Sequence, residues 1–405
     1  MKILVMNAGS SSQKACLYEI GDRLPDSPPE PLWSASIDWT HQQNIGEIEV
    51  KTDSGSEWKT EIPTDSRPDT IALMLNTLWE GQTKVIEKPS EIDVVGHRVV
   101  HGGQDYRESV RVTAEVKAAI ARLSILAPVH NPANLEGIAA IDRIFGEEIP
   151  QMAVFDTAFH SHIADAAAIY PGSYAWVDMG IRRYGFHGIS HQYCAQRAAQ
   201  ILNRDLHDLR LITCHLGNGC SLAAIRNGQS IDTTMGFTPL EGLMMGSRSG
   251  SLDPSILIYL LREEGYTVDR LDKELNKESG LLGISGVSAD LRSVLAAIAE
   301  GNSRASLAFD IYIHRLRSCL GSMLVSLGGL DALVFTAGVG ENSAIVRELT
   351  CQSLEFVGLK LDLKKNQNHP VDIDIATKDS KIHVLAIHTQ EDWAIAQECY
   401  RLSEI

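Results

Sequence analysis

The chain has seven cysteines but no C-x-x-C pair and no metal-ligand spacing among them. An odd number without a pairing pattern excludes a disulfide framework, so these residues read as small reduced core groups of a cytosolic protein. Basic residues are also scarce. Thirty-six Lys and Arg face 52 Asp and Glu, a net charge of −16, which argues against nucleic acid or an anionic membrane as the main partner. An anionic substrate is still allowed if its arginines are concentrated locally. No apolar stretch approaches the ~20 residues of a membrane span. Only four apolar residues follow Met1-Lys2 before Asn7, too few for a signal-peptide core, so the expected compartment is the cytoplasm. No G-x-S-x-G elbow accompanies His101-Gly102-Gly103, which weakens an esterase reading. No Walker A sequence is present, and G-x-G-x-x-G breaks at Ser343, so P-loop and Rossmann assignments fail.

What is present, at 405 residues, is enough for two domains with separate cores. Ile3-Leu4-Val5-Met6 is a buried-strand pattern that stops at Asn7-Ala8-Gly9-Ser10-Ser11-Ser12, and Ala15 to Ile20 returns as an antiparallel partner. Ser10, Ser11 and Ser12 are thereby expected at a hairpin tip, where N–H groups, hydroxyls and Lys14 suit a phosphate. Leu211 to Leu216, then Gly217-Asn218-Gly219, then Cys220 to Ile225 repeats that design half a chain later. The repeat suggests a duplicated domain with one phosphate-contacting turn in each half, and a nucleotide in the cleft between them.

Between the hairpins, residues 40–68 read as short edge strands with long connections, and Asp69 to Glu80 as a helix capped by Asp69 with Ile71, Leu75 and Leu78 buried. Ile92 to Val100 is a buried strand with Arg98 in its middle; a charge there needs an anion, either an internal carboxylate or a ligand. Asn131 reads as the cap of a helix with Pro132 in its first turn. The strand 149–155 delivers Asp156 at its carboxyl end, where ligands of open α/β sheets gather. His187 and His191 have the spacing of a zinc pair but lack the Glu of H-E-x-x-H and a third ligand, which rejects zinc. Arg248, between Gly246 and Gly250, lies on backbone expected to be flexible. Strand 331–337 runs into a glycine turn, Gly338-Val339-Gly340, that opens a helix and favours negative charge.

ILVMNAGSSSQK and the segments quoted above resemble the acetate kinases, members of the actin and sugar-kinase superfamily, along nearly the whole chain. The resemblance implies an α/β fold of two duplicated ribonuclease-H-like (actin-like ATPase) domains, with mixed sheets flanked by helices and the active site in the interdomain cleft. It places residues 1–155 and 391–405 in one domain and 156–390 in the other. It implies catalysis by Asp156, Arg98, Arg248, His187 and Asn218, with His187 and Arg248 stabilising the transition state. Arg98, Val100, His130, Val129, Phe186 and Pro239 would bind the carboxylate substrate.

By the same resemblance, ATP or ADP contacts Ser12 and Lys14, then His215, Leu216, Gly217, Asn218 and Gly219. Further along it contacts Asp290, Leu291 and Arg292, and the segment Gly338, Val339, Gly340, Glu341 and Asn342. Asn7 and Glu391 lie at a Mg2+ ion for which Mn2+ can substitute. The implied reaction is reversible transfer of a phosphoryl group from ATP to acetate, in a cytoplasmic homodimer without nucleic-acid or membrane partners. Ser251, Cys220 and Leu291 depart from residues frequent in the family. Val129 is smaller than the common leucine and implies some turnover of propionate, so a propionate kinase is the alternative. An actin- or chaperone-like ATPase gives no reason for paired arginines beside an apolar pocket.

Overall fold

The computed structural model describes residues 1–9, 12–42, 45–63, 66–128, 130–146 and 149–404, the side chains at 40–42 excepted. The tip residues Ser10 and Ser11, and Val129, lie outside the described residues. The chain forms two units, Met1–Ala158 with Gln390–Ile405, and Phe159–Thr389.

In the first unit, β1 (Lys2–Ala8) pairs antiparallel with β2 (Ser12–Glu19), and β3 (Trp33–Gln42), β4 (Ile45–Thr52) and β5 (Glu57–Pro63) extend the sheet as a meander. On the other side β6 (Val94–Val99) joins β1 in parallel and β8 (Gln151–Phe155) joins β6, with β7 (Val110–Arg111) at that edge. The sheet order is β5-β4-β3-β2-β1-β6-β8-β7. The expected edge strands are present as β4 and the edge strand β5, longer and more regular than the short pieces expected. Their pattern was hard to read because β4 buries only alternate residues such as Ile48 and Val50, and no residue of β5 is fully buried, as suits a one-sided antiparallel margin.

Two caps differ from the sequence reading. The helix Arg67–Asn76 is capped by Ser66, whose hydroxyl accepts from the Asp69 backbone N–H, because Pro68 in the first turn shifts the start forward. Asn131 is the first residue of the helix Asn131–Phe145 and does not cap it. Its fully buried side chain accepts from His101 N at 3.1 Å and donates to His101 O at 3.2 Å.

The helix Glu391–Ser403 packs on β1 and β6. The approach is so close that a Cβ on Gly96 would stand 2.5 Å from Cys399 Sγ and 2.7 Å from Ile395 Cγ2. Only glycine leaves room there.

In the second unit, β9 (Arg210–Leu216), β10 (Cys220–Arg226) and β11 (Gln229–Thr233) form an antiparallel meander, while β12 (Ala332–Thr336) and β14 (His383–Ala386) add in parallel and β13 (Ile373–Asp374) closes the edge. The order β11-β10-β9-β12-β14 repeats β3-β2-β1-β6-β8 in both sequence and sense of pairing. Both units thus carry the duplicated ribonuclease-H-like core, a mixed sheet flanked by helices. The helix Ser303–Leu327 starts where Asn302 accepts from Ala305 N and stops at Gly328 in the left-handed conformation, the usual asymmetry of helix ends. No helix among the described residues is long and apolar enough to cross a membrane. All seven cysteines are free thiols.

Candidate functional site

In the first unit, Arg98 near the end of β6 is surrounded by acceptors. Its Nε and Nη2 donate to Asp156 Oδ2 at 3.0 and 2.6 Å, and Nη1 donates to Asn7 Oδ1 at 3.2 Å with Glu391 Oε2 3.9 Å away. Of the two readings of this buried charge, the internal carboxylate is the one seen, since Asp156 meets it. Burial opposes the charge, but Asp156 and Glu391 outweigh that and raise the guanidinium pKa. Its side chain keeps 17% exposure, and these bonds use three of its five N–H groups, leaving donors for an anion.

Asp392 was not found from the sequence. Its Oδ1 accepts from Asn7 Nδ2 at 2.7 Å, and Cys16 Sγ lies 3.8 Å from its other oxygen. Burial raises its pKa, reinforced by Glu391 and opposed by Asn7, Lys14 and Arg98. A second carboxylate one residue after Glu391 was the available signal.

Val100 is buried, and its N–H donates to Asn134 Oδ1 at 3.2 Å. Asn134 Nδ2 donates to Ala8 O, so one asparagine ties the end of β1 to the segment after β6. His130 is half-buried and precedes the helix Asn131–Phe145. Ser12 opens β2 and does not sit at a tip, and Lys14 on the same strand is exposed.

In the second unit, His187 adopts φ 58°, ψ 25° immediately before the helix Gly188–Leu202. Its ring stacks on His215 of β9, centroids 4.1 Å apart and planes 17° apart. Both His187 Nε2 and Arg248 Nη1 face Gly219, at 3.4 and 3.5 Å from where a Cβ would stand. Asn218 in the same turn accepts from Gly246 N at 3.0 Å. A Cβ on Gly246 would meet Asn218 Oδ1 at 2.1 Å and Ala289 O at 2.8 Å.

The backbone around Arg248 is thus closely packed, contrary to the flexible loop expected. Arg248 Nη1 donates to Pro239 O at 3.1 Å. No carboxylate among the described residues lies within ion-pair distance of it, and burial lowers its pKa. A partly buried guanidinium with only a carbonyl and a thioether for company is set up to receive an anion. Phe186 is buried, and its carbonyl lies 3.1 Å from His160 Nε2.

Beside this turn lies a cavity of about 730 Å³ within the second unit, a size suited to a nucleotide. Gly217, Asn218, Asp290, Leu291, Arg292, Gly338, Val339 and Asn342 line it, as do Leu281, Ser288, Ala289, Leu295, Tyr312 and Ser343, which sequence reasoning missed. His215, Leu216, Gly219, Gly340 and Glu341 do not line it. His215 and Leu216 are buried in β9. Glu341 instead accepts from Ala337 N at 2.9 Å and Thr389 N at 3.2 Å, with His388 Nδ1 at 2.6 Å. The glycine turn expected at 338–340 is itself a short helix, Ala337–Asn342, entered through Ala337 at φ 63°. Asp290 caps the helix Leu291–Ala299 and pairs with Arg292.

The sequence matches the acetokinase family over residues 2–397. A protein named acetate kinase from Cyanothece sp. is 66% identical over 402 residues, covering 99% of this chain and 98% of its own. The chain belongs to the acetokinase family. Among solved acetokinase relatives, a crystal structure of Porphyromonas gingivalis acetate kinase has a TM-score of 0.90 at 39% identity, covering 99% of each chain. That of a propionate kinase from Francisella tularensis has a TM-score of 0.88 at 39% identity, covering 98% of each.

Arg98, Asp156, Asn7, Glu391 and Val100 belong to the first unit, and His187, Asn218, Arg248, Phe186 and Pro239 to the second. No three His, Cys, Asp or Glu side chains among the described residues converge to hold a metal.

Proposed function

We propose that this protein is an acetate kinase, transferring the γ-phosphoryl group of ATP reversibly to acetate to give acetyl phosphate and ADP. The observation that carries the reading is Arg248, a partly buried cation with no carboxylate partner among the described residues, beside His187, the Asn218 turn and the nucleotide-sized cavity. The name shared by the curated relatives at 59–66% identity supports acetate over propionate.

Acetate is already ionised near neutral pH, so the transfer needs no strong base. What it needs is in-line positioning and positive charge or donors around the equatorial phosphoryl oxygens. Arg248, His187 and Asn218 supply these donors, and Arg98 takes the acceptor carboxylate with N–H groups that Asp156 and Asn7 leave over. Val100, Phe186 and Pro239 give the methyl group apolar surroundings. The nucleotide is assigned to the cavity lined by Asp290, Leu291, Arg292, Gly338 and Val339.

The carboxylates of Asp156 and Glu391 and the amide oxygen of Asn7 around Arg98 are hard oxygen donors that fit Mg2+ held partly through water. These residues would hold the ion, and when bound it neutralises phosphate charge. The homodimer remains part of the proposal.

The test is a coupled assay of the purified protein with ATP, Mg2+ and a series of short carboxylates. ADP release dependent on acetate, with the highest kcat/KM in the series, is expected. ADP release at the same rate without any acceptor would sink the reading in favour of a simple ATPase.

A further inference from the structure

His187 stands at one end of a chain of four side chains. Thr213 Oγ1 lies 2.7 Å from His191 Nδ1, His191 Nε2 lies 2.8 Å from Ser221 Oγ, and Ser221 Oγ lies 2.8 Å from His187 Nδ1. Thr213, His191 and Ser221 have no exposed surface. The four-residue spacing that resembled a zinc pair puts His187 and His191 one helical turn apart. Thr213 on β9 and Ser221 on β10 meet them from a single hairpin.

The chain has a direction. A neutral imidazole offers one N–H and one acceptor nitrogen, and a hydroxyl has one hydrogen to give. Suppose His187 Nδ1–H donates to Ser221. Ser221 must then donate to His191 Nε2, because accepting from both rings would leave its own hydrogen without an acceptor among the described residues, and His191 Nδ1–H must donate to Thr213. The hydrogen of Thr213 would be left without an acceptor among the described residues, in a position closed to water, which is costly. A doubly protonated His191 fails at the same place, and burial also holds its pKa well below the ordinary value. The opposite direction satisfies every group: Thr213 donates to His191 Nδ1, His191 Nε2–H to Ser221, and Ser221 to His187 Nδ1.

We propose that Thr213, His191 and Ser221 are positioning residues that fix His187 in the tautomer carrying its proton on Nε2, so that it meets the phosphoryl group as a neutral donor. The inference rests on the role given to His187 above. Protonating Nδ1 as well would force the whole chain to reverse. The Nε2 edge is the one that faces Gly219 together with Arg248, so the fixed proton lies on the side where an anion is expected. Arg248 then supplies the charge, and His187 supplies a hydrogen bond of fixed polarity.

The test is 15N NMR of the full-length protein labelled at the histidine imidazoles, with His187 assigned by comparison with His187→Gln. Protonated and unprotonated ring nitrogens resonate far apart. At neutral pH the wild type is expected to show His187 protonated on Nε2 alone. Thr213→Val, close in shape, removes the source of direction: His187 should become a mixture of tautomers and kcat fall about tenfold, the scale of one hydrogen bond. KM for ATP and acetate should stay unchanged, and Thr213→Ser should restore both tautomer and kcat.

A wild-type His187 protonated on Nδ1, or on both nitrogens, overturns the proposal without reference to any variant. So does an unaltered tautomer in Thr213→Val. If His187→Gln keeps full turnover while the Nε2–H tautomer is observed, the tautomer assignment is upheld and the role of His187 in catalysis falls.

Discussion

Arg98 places two hydrogen bonds on a single oxygen of Asp156, at 3.0 and 2.6 Å. Arg248 has no such partner among the described residues. Two arginines expected to handle anions are therefore held in opposite ways, and their replacement should have different signatures.

Arg98→Ala leaves Asp156 and Glu391 without their cation. Breaking a buried pair costs about 3–5 kcal/mol, so a clear drop in the urea midpoint is expected together with a loss of turnover of at least about 100-fold. An unchanged midpoint would mean that Asp156 finds another partner and that the pair is not structural.

Arg248→Ala removes a charge that no carboxylate among the described residues pairs with. Turnover should fall by at least about 100-fold, with the midpoint close to wild type. Wild-type kcat in this variant would contradict the site assignment directly.

Gly246→Ala tests the turn. The added carbon would meet Asn218 Oδ1 at 2.1 Å and the Ala289 carbonyl at 2.8 Å, and backbone cannot retreat as a side chain can. A strain cost of about 1–3 kcal/mol is expected, with a lowered kcat and a raised KM for ATP. The KM for acetate is expected to change less.

His97 and His160 make stability sensitive to acid. Burial depresses each imidazole from 6.5 to about 4. Below pH 6.5 the unfolded chain binds protons that the folded chain refuses. Stability is therefore full above pH 6.5 and is lost as pH falls towards about 4, by up to about 3 kcal/mol per histidine. His97→Gln should flatten the midpoint-against-pH curve through that window relative to wild type. Curves of equal slope would show that His97 is not buried as a neutral ring.

The strands that organise both units were legible because β1, β6, β9 and β12 are buried nearly throughout and read as largely apolar runs, even with Arg98 in β6 and Thr213 and His215 in β9. The return of the C-terminal helix to the first unit was implied by the family resemblance. β5 was legible only as part of a run of short edge strands, since none of its residues is fully buried and a one-sided margin leaves little signal of its length. Arg98, Asp156 and Arg248 could be named from local pattern and resemblance. That Arg98 meets a carboxylate while Arg248 has none within ion-pair distance among the described residues is a property of packing, fixed by which residues arrive from distant segments. Asp392 was hidden beside Glu391. The chain from Thr213 to His187 needed the strand register to place a threonine and a serine against one helix.

The bond from Asn7 to Asp392 joins residues 385 positions apart. A strand laid down at the beginning acquires its covering helix only after the entire second unit has been made. During synthesis, then, the later unit is the one able to fold first, while the earlier one waits with β1 and β6 bare. Chaperone dependence and sensitivity to truncation should both concentrate on that exposed interval.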